Sequence, residues 1–412
     1  MCSNKVRSAV GILFGHPIGN PFSYNAALAH LEAGLLECLC VPWMPSTATI
    51  RALSSIQPLR PSAQRLARRH FAPLWHARKA QGRAGEVCRL LMRASGLGSD
   101  QLIDQANRWL MRTMARECHR STVRAVHAYE DCSLWQFMEA RRLGKACVYD
   151  MPISYYPVRE KAQSELHRKY PDWIPHNWSS VARDRLLEQK RQEMTLADLT
   201  LVPSRHVEAT IREFYPHKDI ARAPYGVDAE FWTPGPINKS PGPLRFIYAG
   251  EVSLRKGIPL LIEAWSKAEL RDAELVLVGS WLLSNSKRQS LPPGIKWLPS
   301  CSWQTLRDRY RESHVFVFPS FAEGFGLVLL EAMACGLPAI ASEAGIGPEI
   351  ITADSGFISP SGDLEQLVEL LRWFDRHRDE VPAMGREATA QARQWTWRKY
   401  RSVVTEAVSK LV

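Results

Sequence analysis

Short apolar runs separated by helix-patterned segments organise the chain. In the first half the runs fall at residues 10–14, 38–41, 123–129, 146–149 and 199–202. Runs of this length bounded by turn-forming residues read as buried strands. Between the first two, residues 23–33 carry Ala, Leu and His at inward helical spacings, and Gly34 supplies a stop. Strands alternating with helices predict a parallel sheet with crossover helices. The pattern breaks at Trp232-Thr233-Pro234-Gly235-Pro236 and again at Pro241-Gly242-Pro243. Those prolines cannot continue a helix or a central strand, so the stretch reads as a linker. The alternation then restarts with runs at 246–249, 274–278, 295–298, 315–318 and 339–342. The expected organisation is an α/β protein of 412 residues in two domains, 1–232 and 244–385. The linker is 233–243, and 386–412 forms a terminal helix carrying Trp395, Trp397 and Tyr400. No sequence repeat relates the two halves.

One segment carries distinct chemistry. Residues 319–338 read PSFAEGFGLVLLEAMACGLP and follow the apolar run His314-Val315-Phe316-Val317-Phe318. This predicts a strand, a glycine turn and a helix that ends at Gly336, before Pro338. Glu323 and Glu331 stand eight positions apart, with Gly324-Phe325-Gly326 between them. The first amides of a helix are unpaired and carry partial positive charge, so they favour a phosphate. A carboxylate on the second turn can accept two hydrogen bonds from a ribose diol. Together these describe a site for a nucleotide diphosphate sugar. The plainer reading makes Glu323 a solvated loop residue and Glu331 an ordinary helix residue. Gly326, which removes a Cβ where a ligand would meet backbone, and the inward face Leu327, Leu330, Ala334 weigh against it.

The segment resembles the E-x7-E motif of the retaining glycosyltransferases of family 4 (glycosyl transferases group 1). The resemblance extends to Ile247-Tyr248-Ala249-Gly250, Leu254-Arg255-Lys256-Gly257, Val202-Pro203-Ser204 and Pro224-Tyr225-Gly226-Val227-Asp228. Gly345, Pro348-Glu349 and Gly356 also fit, and the likeness is strongest over residues 197–365. It implies the GT-B fold, two Rossmann-like domains whose parallel sheets face a central cleft, with the final helix crossing back to the first domain. It also implies that Glu323 faces the donor sugar and Glu331 binds the ribose. The backbone around Gly250, Gly324, Phe325, Gly326, Leu327 and Val328 would lie along the donor phosphates. Arg255 and Lys256 would stabilise the charge that develops on a departing diphosphate. The plainer reading of that pair is a solvent-facing basic couple, which is unfavourable at a helix start. Where many members have an arginine after the strand glycine, this chain has Glu251, and Arg255 is the candidate replacement. No D-x-D triplet occurs, so no metal is expected on the diphosphate. Retention is implied by the family. No covalent nucleophile is evident, which favours departure and attack on one face of the sugar.

The first domain should hold the acceptor. His16, Gly19 and Asn20 lie in the loop after the first strand, where the cleft would open, although a lone loop histidine is more often structural. His127 and Tyr129 alternate to one side of their strand, and Tyr129 is a candidate for the position where the family often has a histidine. Glu130 and Asp131 close that strand as candidates to orient or deprotonate an acceptor hydroxyl, and Asp150 closes the next.

Charge adds a partner. The net charge is +11, and residues 51–116 hold 13 Arg and Lys against three acids, interleaved with Phe71, Leu74, Trp75, Leu90, Leu91 and Met92. Such mixing suits an anionic membrane surface, or nucleic acid, or a solvated basic insertion. No nucleic-acid module accompanies it, so the membrane leads among the functional readings. No apolar run approaches the roughly 18 residues that span a bilayer. The apolar run near the start leads into Gly15-His16-Pro17 and reads as a strand rather than a signal peptide. Nine cysteines without a C-x-x-C pair read as reduced thiols in a cytoplasmic protein.

The expected function is transfer of a sugar from a UDP- or GDP-sugar to a glycan or lipid-linked acceptor, in cell-surface polysaccharide or glycolipid synthesis. Two alternatives compete. A GT-B sugar-nucleotide epimerase would act on the donor alone. A non-catalytic scaffold derived from a transferase would bind membranes without binding nucleotide.

Overall fold

Val, Ile, Leu and Phe in uninterrupted short runs suit strands buried on both faces, and that is where the runs lie. The computed structural model of the protein describes residues 11–17, 19–57, 60–67, 69–83, 86, 99–175, 183–235 and 242–412. Two parallel sheets form. The first has strands β1 (Gly11–Gly15), β2 (Leu36–Val41), β3 (Lys79–Gln81), β4 (Val123–Tyr129), β5 (Ala146–Asp150), β6 (Leu199–Val202) and β7 (Ile220–Arg222), in the order β3-β2-β1-β4-β5-β6-β7. The second has β8 (Leu244–Ala249), β9 (Ala273–Val278), β10 (Ile295–Leu298), β11 (Val315–Phe318), β12 (Ala339–Ser342) and β13 (Gly356–Ser359), in the order β10-β9-β8-β11-β12-β13.

Each sheet reverses its direction of growth once, between β1 and β4 and between β8 and β11. At such a point the flanking connections leave to opposite sides and open a crevice at the strand carboxyl ends. His16 and Tyr129 stand at the first crevice, Gly250 and Pro319 at the second. This is the two-domain, Rossmann-like α/β architecture expected from the sequence. β3, β7 and β13 escape the apolar pattern because they are short and sit at or next to a sheet edge, where polar residues are tolerated. The expected strand start at residue 10 and linker residues 236–241 lie outside the described residues.

Helix α1 (Pro21–Glu32) begins at Asn20, whose side chain accepts from the Ser23 amide while Ser23 returns the bond, a capping box. Residues 51–116 are not simply an appended basic insertion. They supply β3, and Leu74, Leu110 and Met114 are buried. The last two come from α2 (Ser99–Glu117). Several of the cations serve inside the fold: Arg69 pairs with buried Glu86 at 2.7 Å, Arg78 with Glu117 at 2.8 Å, and the Lys79 ammonium donates to the Leu74, Trp75 and Ala77 carbonyls. Residues 58–59, 68, 84–85 and 87–98 of this stretch lie outside the described residues. Among the described residues, no helix is long and apolar enough to cross a membrane.

The expected single terminal helix is two, α9 (Val381–Arg393) and α10 (Trp397–Ser409), and Thr396 caps the second. The break lets residue 396 form a bridge to Val227, with the Val227 amide donating to the Trp395 carbonyl at 2.9 Å. α10 then lies on α1. Arg401 binds Glu32 at 2.8 Å and Asn25 at 2.9 Å, and Tyr400, Val404 and Val408 are buried beneath it. Tyr400→Ala removes a fully buried ring from this crossing. It should lower unfolding stability by about 3 kcal/mol, read by urea denaturation, whereas a loss under about 1 kcal/mol would show that the helix is not anchored there.

Candidate active site

In the second domain, two loops at adjacent strand ends make the site. β8 ends at Ala249, and residues 250–257 lead into α7 (Ile258–Ala268). β11 ends at Phe318, and residues 319–326 lead into α8 (Leu327–Ala334). Gly326 precedes α8 with φ 93°, a left-handed conformation that a glycine adopts without strain. No side chain caps α8, so its first amides are left to solvent or a ligand.

Cations meet Glu323 where these loops touch. Lys256 forms an ion pair with the Glu323 carboxylate, and Arg255 lies 4.0 Å from the same oxygen. Arg255 also donates to the Ala322 carbonyl at 2.8 Å and stands 3.6 Å from Glu251. Lys256, then Arg255, holds the Glu323 carboxyl below the usual carboxylate range against the opposing effect of burial. Glu331 differs. It has no hydrogen-bond or ion-pair partner among the described residues, and burial pushes its carboxyl up to about 8. Two carboxylates of one loop and helix are thus driven apart by their surroundings. Leu327 and Val328 are half-buried at the start of α8. Phe325, however, does not face this site. It is buried and packs its ring 5.0 Å from Tyr225 and 6.3 Å from Trp395, so only its backbone remains for a donor.

The first domain gathers its candidates into a buried knot. His127 Nδ1 lies 2.8 Å from His30 Nε2, and its Nε2 lies 3.4 Å from the Asp150 carboxylate. Burial keeps the His127 imidazole neutral, down to about 3, and pushes Asp150 up to about 8. Tyr129 packs edge-on to His16 at 4.6 Å, and the Tyr225 ring lies 5.5 Å from that of Tyr400. Gly19, a cleft candidate, does not open onto space for a ligand. A Cβ there would overlap the Tyr24 hydroxyl, so the space is filled by protein. His16 accepts from the Gly19 amide at 2.9 Å, and Asn20 caps α1, so both shape the loop itself.

Glu130 and Asp131 are also placed otherwise than expected. Glu130 is bound by Arg159 of α4 (Tyr156–Lys169) at 2.6 Å and by Lys190 of α5 (Arg183–Leu196) at 3.0 Å. Lys190 holds Asp131 at 2.6 Å. A carboxylate occupied by cations is a poor proton acceptor, so these two acids hold helices together. Beside them the buried Glu193 accepts from the amides of Asp131, Ser133 and Leu134, and so caps α3 (Leu134–Arg142).

The two domains meet at the donor loop. Ser154 donates to the Glu323 carbonyl at 2.9 Å and Ser204 to the Gly324 carbonyl at 2.6 Å. Any Cβ on Gly324 would overlap the Pro152 carbonyl oxygen. Ser204 caps α6 (Arg205–Arg212), and the Arg205 amide donates to Glu349 at 2.8 Å. Ser154 and His206 are the site residues that the sequence reading missed. They lie 169 and 117 positions from Glu323, and a serine after a strand reads locally as a turn or a cap.

Comparison with known proteins follows the same outline. The sequence pattern of the family described as glycosyl transferases group 1 matches residues 234–391. A D-inositol 3-phosphate glycosyltransferase of Pseudarthrobacter chlorophenolicus is 30% identical over 301 residues, 63% of this chain and 70% of that protein. Of two other curated relatives the chain spans about half the length, 48% and 54%. Among solved structures, a sucrose-phosphate synthase from Thermosynechococcus elongatus aligns with a TM-score of 0.68 at 18% identity, over 98% of this chain and 99% of that one. Anabaena HepE in complex with UDP-glucose aligns at 0.61 and 15%, over 97% and 99%. At these identities the structures show the shared fold.

The Glu331 environment has a measurable consequence. An unfolded chain ionises this carboxyl near its ordinary value of about 4.3, while the folded protein retains the proton up to about 8. Between those values the unfolded state binds fewer protons, so stability falls as pH rises and then levels off. Glu331→Gln removes that dependence. Its melting temperature should exceed wild type at pH 8 and approach it near pH 4.5. An equal difference at both would show that the carboxyl is not raised.

Proposed function

Because the chain belongs to the glycosyl transferases group 1 family, we propose that it is a retaining, family 4 enzyme acting on a UDP- or GDP-sugar. The observation that carries this reading is Glu331 on α8, without a partner among the described residues and one turn below that helix's uncapped amides, in the domain whose two loops bring Lys256 and Arg255 to Glu323. A nucleoside diphosphate sugar satisfies each of these groups. Its ribose diol donates to Glu331. Its phosphates take the α8 amides, Lys256 and Arg255, and Glu323 faces the sugar. HepE, of the same fold, was solved with UDP-glucose.

Transfer then needs charge stabilisation and alignment. The bond from sugar C1 to the β-phosphate oxygen breaks as the acceptor oxygen bonds C1 on the same face. The acceptor proton passes to the departing phosphate oxygen. Lys256 and Arg255 stabilise the negative charge as it grows there, an interaction stronger in the transition state than in the bound donor. These cations perform the task that a metal performs elsewhere, so transfer proceeds without one. In donor-free protein Lys256 pairs with Glu323, and the diphosphate competes for that ammonium.

The acceptor enters from the first domain, at the cleft end of its sheet. A glycan or lipid-linked acceptor suits the basic stretch at 51–116. On α2, Arg112 and Arg116 are exposed four residues apart, fit to lie on an anionic membrane surface. The setting is the cytoplasmic face of a membrane, in the synthesis of a surface polysaccharide or glycolipid.

Lys256→Ala and Glu331→Ala should each cut sugar transfer at least about tenfold, or 1.4 kcal/mol, in an assay of nucleoside diphosphate release with acceptor. Wild-type rates in both variants would reject the donor site. Excess EDTA should leave the wild-type rate unchanged, and a chelator-sensitive rate restored by Mg²⁺ would reject the metal-free step.

A further inference from the structure

The contact between the domains contains a relay that no site residue so far accounts for. Ser154 follows β5 in the first domain and is fully buried. Its hydroxyl oxygen lies 2.9 Å from the Glu323 carbonyl and 3.0 Å from His206 Nε2. A carbonyl only accepts, so the single serine hydrogen goes to Glu323. The serine oxygen must then accept from His206, which assigns the second hydrogen bond of the serine as one donated by His206 Nε2–H. His206 sits in the first turn of α6, beside Ser204, whose own hydroxyl holds the next carbonyl of the loop at 2.6 Å.

Glu323 is therefore fixed from two sides. Its carboxylate belongs to the second domain through Lys256, while its backbone carbonyl belongs to the first through Ser154. The peptide plane that follows Glu323 cannot turn without breaking the serine bond. If the domains part, both serine bonds are lost together and the loop that carries the carboxylate loses its hold on the first domain.

We infer that His206, acting through Ser154, is a positioning residue for Glu323, and that it sets the carboxylate against the donor sugar only when the first domain is docked. This rests on the proposed reading that Glu323 faces that sugar. Its functional signature follows from the geometry. The donor binds mainly to the second domain, so loss of the relay should spare donor KM. Alignment during transfer depends on closure, so kcat should fall.

The test uses the full chain with His206→Ala, His206→Gln, Ser154→Ala and the double variant His206→Ala/Ser154→Ala. Each alanine variant should lower kcat about tenfold with donor KM within about twofold of wild type. Glutamine can offer an N–H at similar reach, so His206→Gln should recover most of the rate. The double variant should be no worse than Ser154→Ala alone, because both break one chain of bonds. A multiplicative double variant, a glutamine variant as slow as alanine, or a KM change with kcat intact would each overturn the relay. Independently of activity, ¹⁵N NMR of histidine-labelled protein should show His206 with its proton on Nε2, and that resonance should shift in Ser154→Ala. A proton on Nδ1 alone overturns the relay even if sugar transfer is confirmed. Absence of transfer by wild type, with the Nε2 proton present, would instead reject the donor reading and leave the hydrogen-bonded relay standing.

Discussion

Everything at the cleft depends on one close approach, between the backbone of Gly324 and the carbonyl of Pro152. The two sheets can face each other at this distance only because residue 324 has no side chain. That contact brings the carboxyl ends of β5 and β6 against the loop that opens α8, and it lets two serine hydroxyls reach carbonyls on the other domain. Aromatic packing adds to these contacts. Phe325, Tyr225, Trp397 and Tyr400 fill the hinge from the donor loop, the connecting segment and the terminal helix. Such rings contribute area and defined geometry without a net charge.

The electrostatics of the site follow from where that packing stops. Glu323 lies under two cations and stays ionised, while Glu331 lies without a counter-charge and holds its proton. A site that only needed stability would not leave a partly buried carboxyl unpaired, since the charged form is costly there. The cost makes sense for a group that waits for hydrogen-bond donors from a ligand. The ion pair between Lys256 and Glu323 is the complement of this arrangement, because it keeps the cation in place until phosphate arrives.

Much of this was readable along the chain, for a physical reason. The strand, glycine turn and helix that carry Glu323 and Glu331 are local, and each has its own signal in composition and spacing. The central strands were also legible, being apolar and buried on both faces. The first domain was harder. Glu130 and Asp131 look like a strand-end acid pair, but Arg159 and Lys190 arrive from helices whose charge pattern is indistinguishable from a solvated face. Phe325 looks like part of a ligand loop, but it turns away because Tyr225 is its neighbour in space and not in sequence. His206 and Ser154 carry no local signature at all, since their role exists only when the domains meet. The basic stretch at 51–116 includes cations used inside the fold, Arg69, Arg78 and Lys79, which composition alone cannot separate from a solvated face.

A crystal structure of the protein soaked with UDP or GDP would test the central claim most directly. The account predicts the ribose hydroxyls on the Glu331 carboxylate and the diphosphate on Lys256, Arg255 and the first amides of α8, with Lys256 released from Glu323. A nucleotide bound elsewhere, or a diphosphate that leaves the Lys256–Glu323 pair intact and Glu331 without a partner, would contradict it.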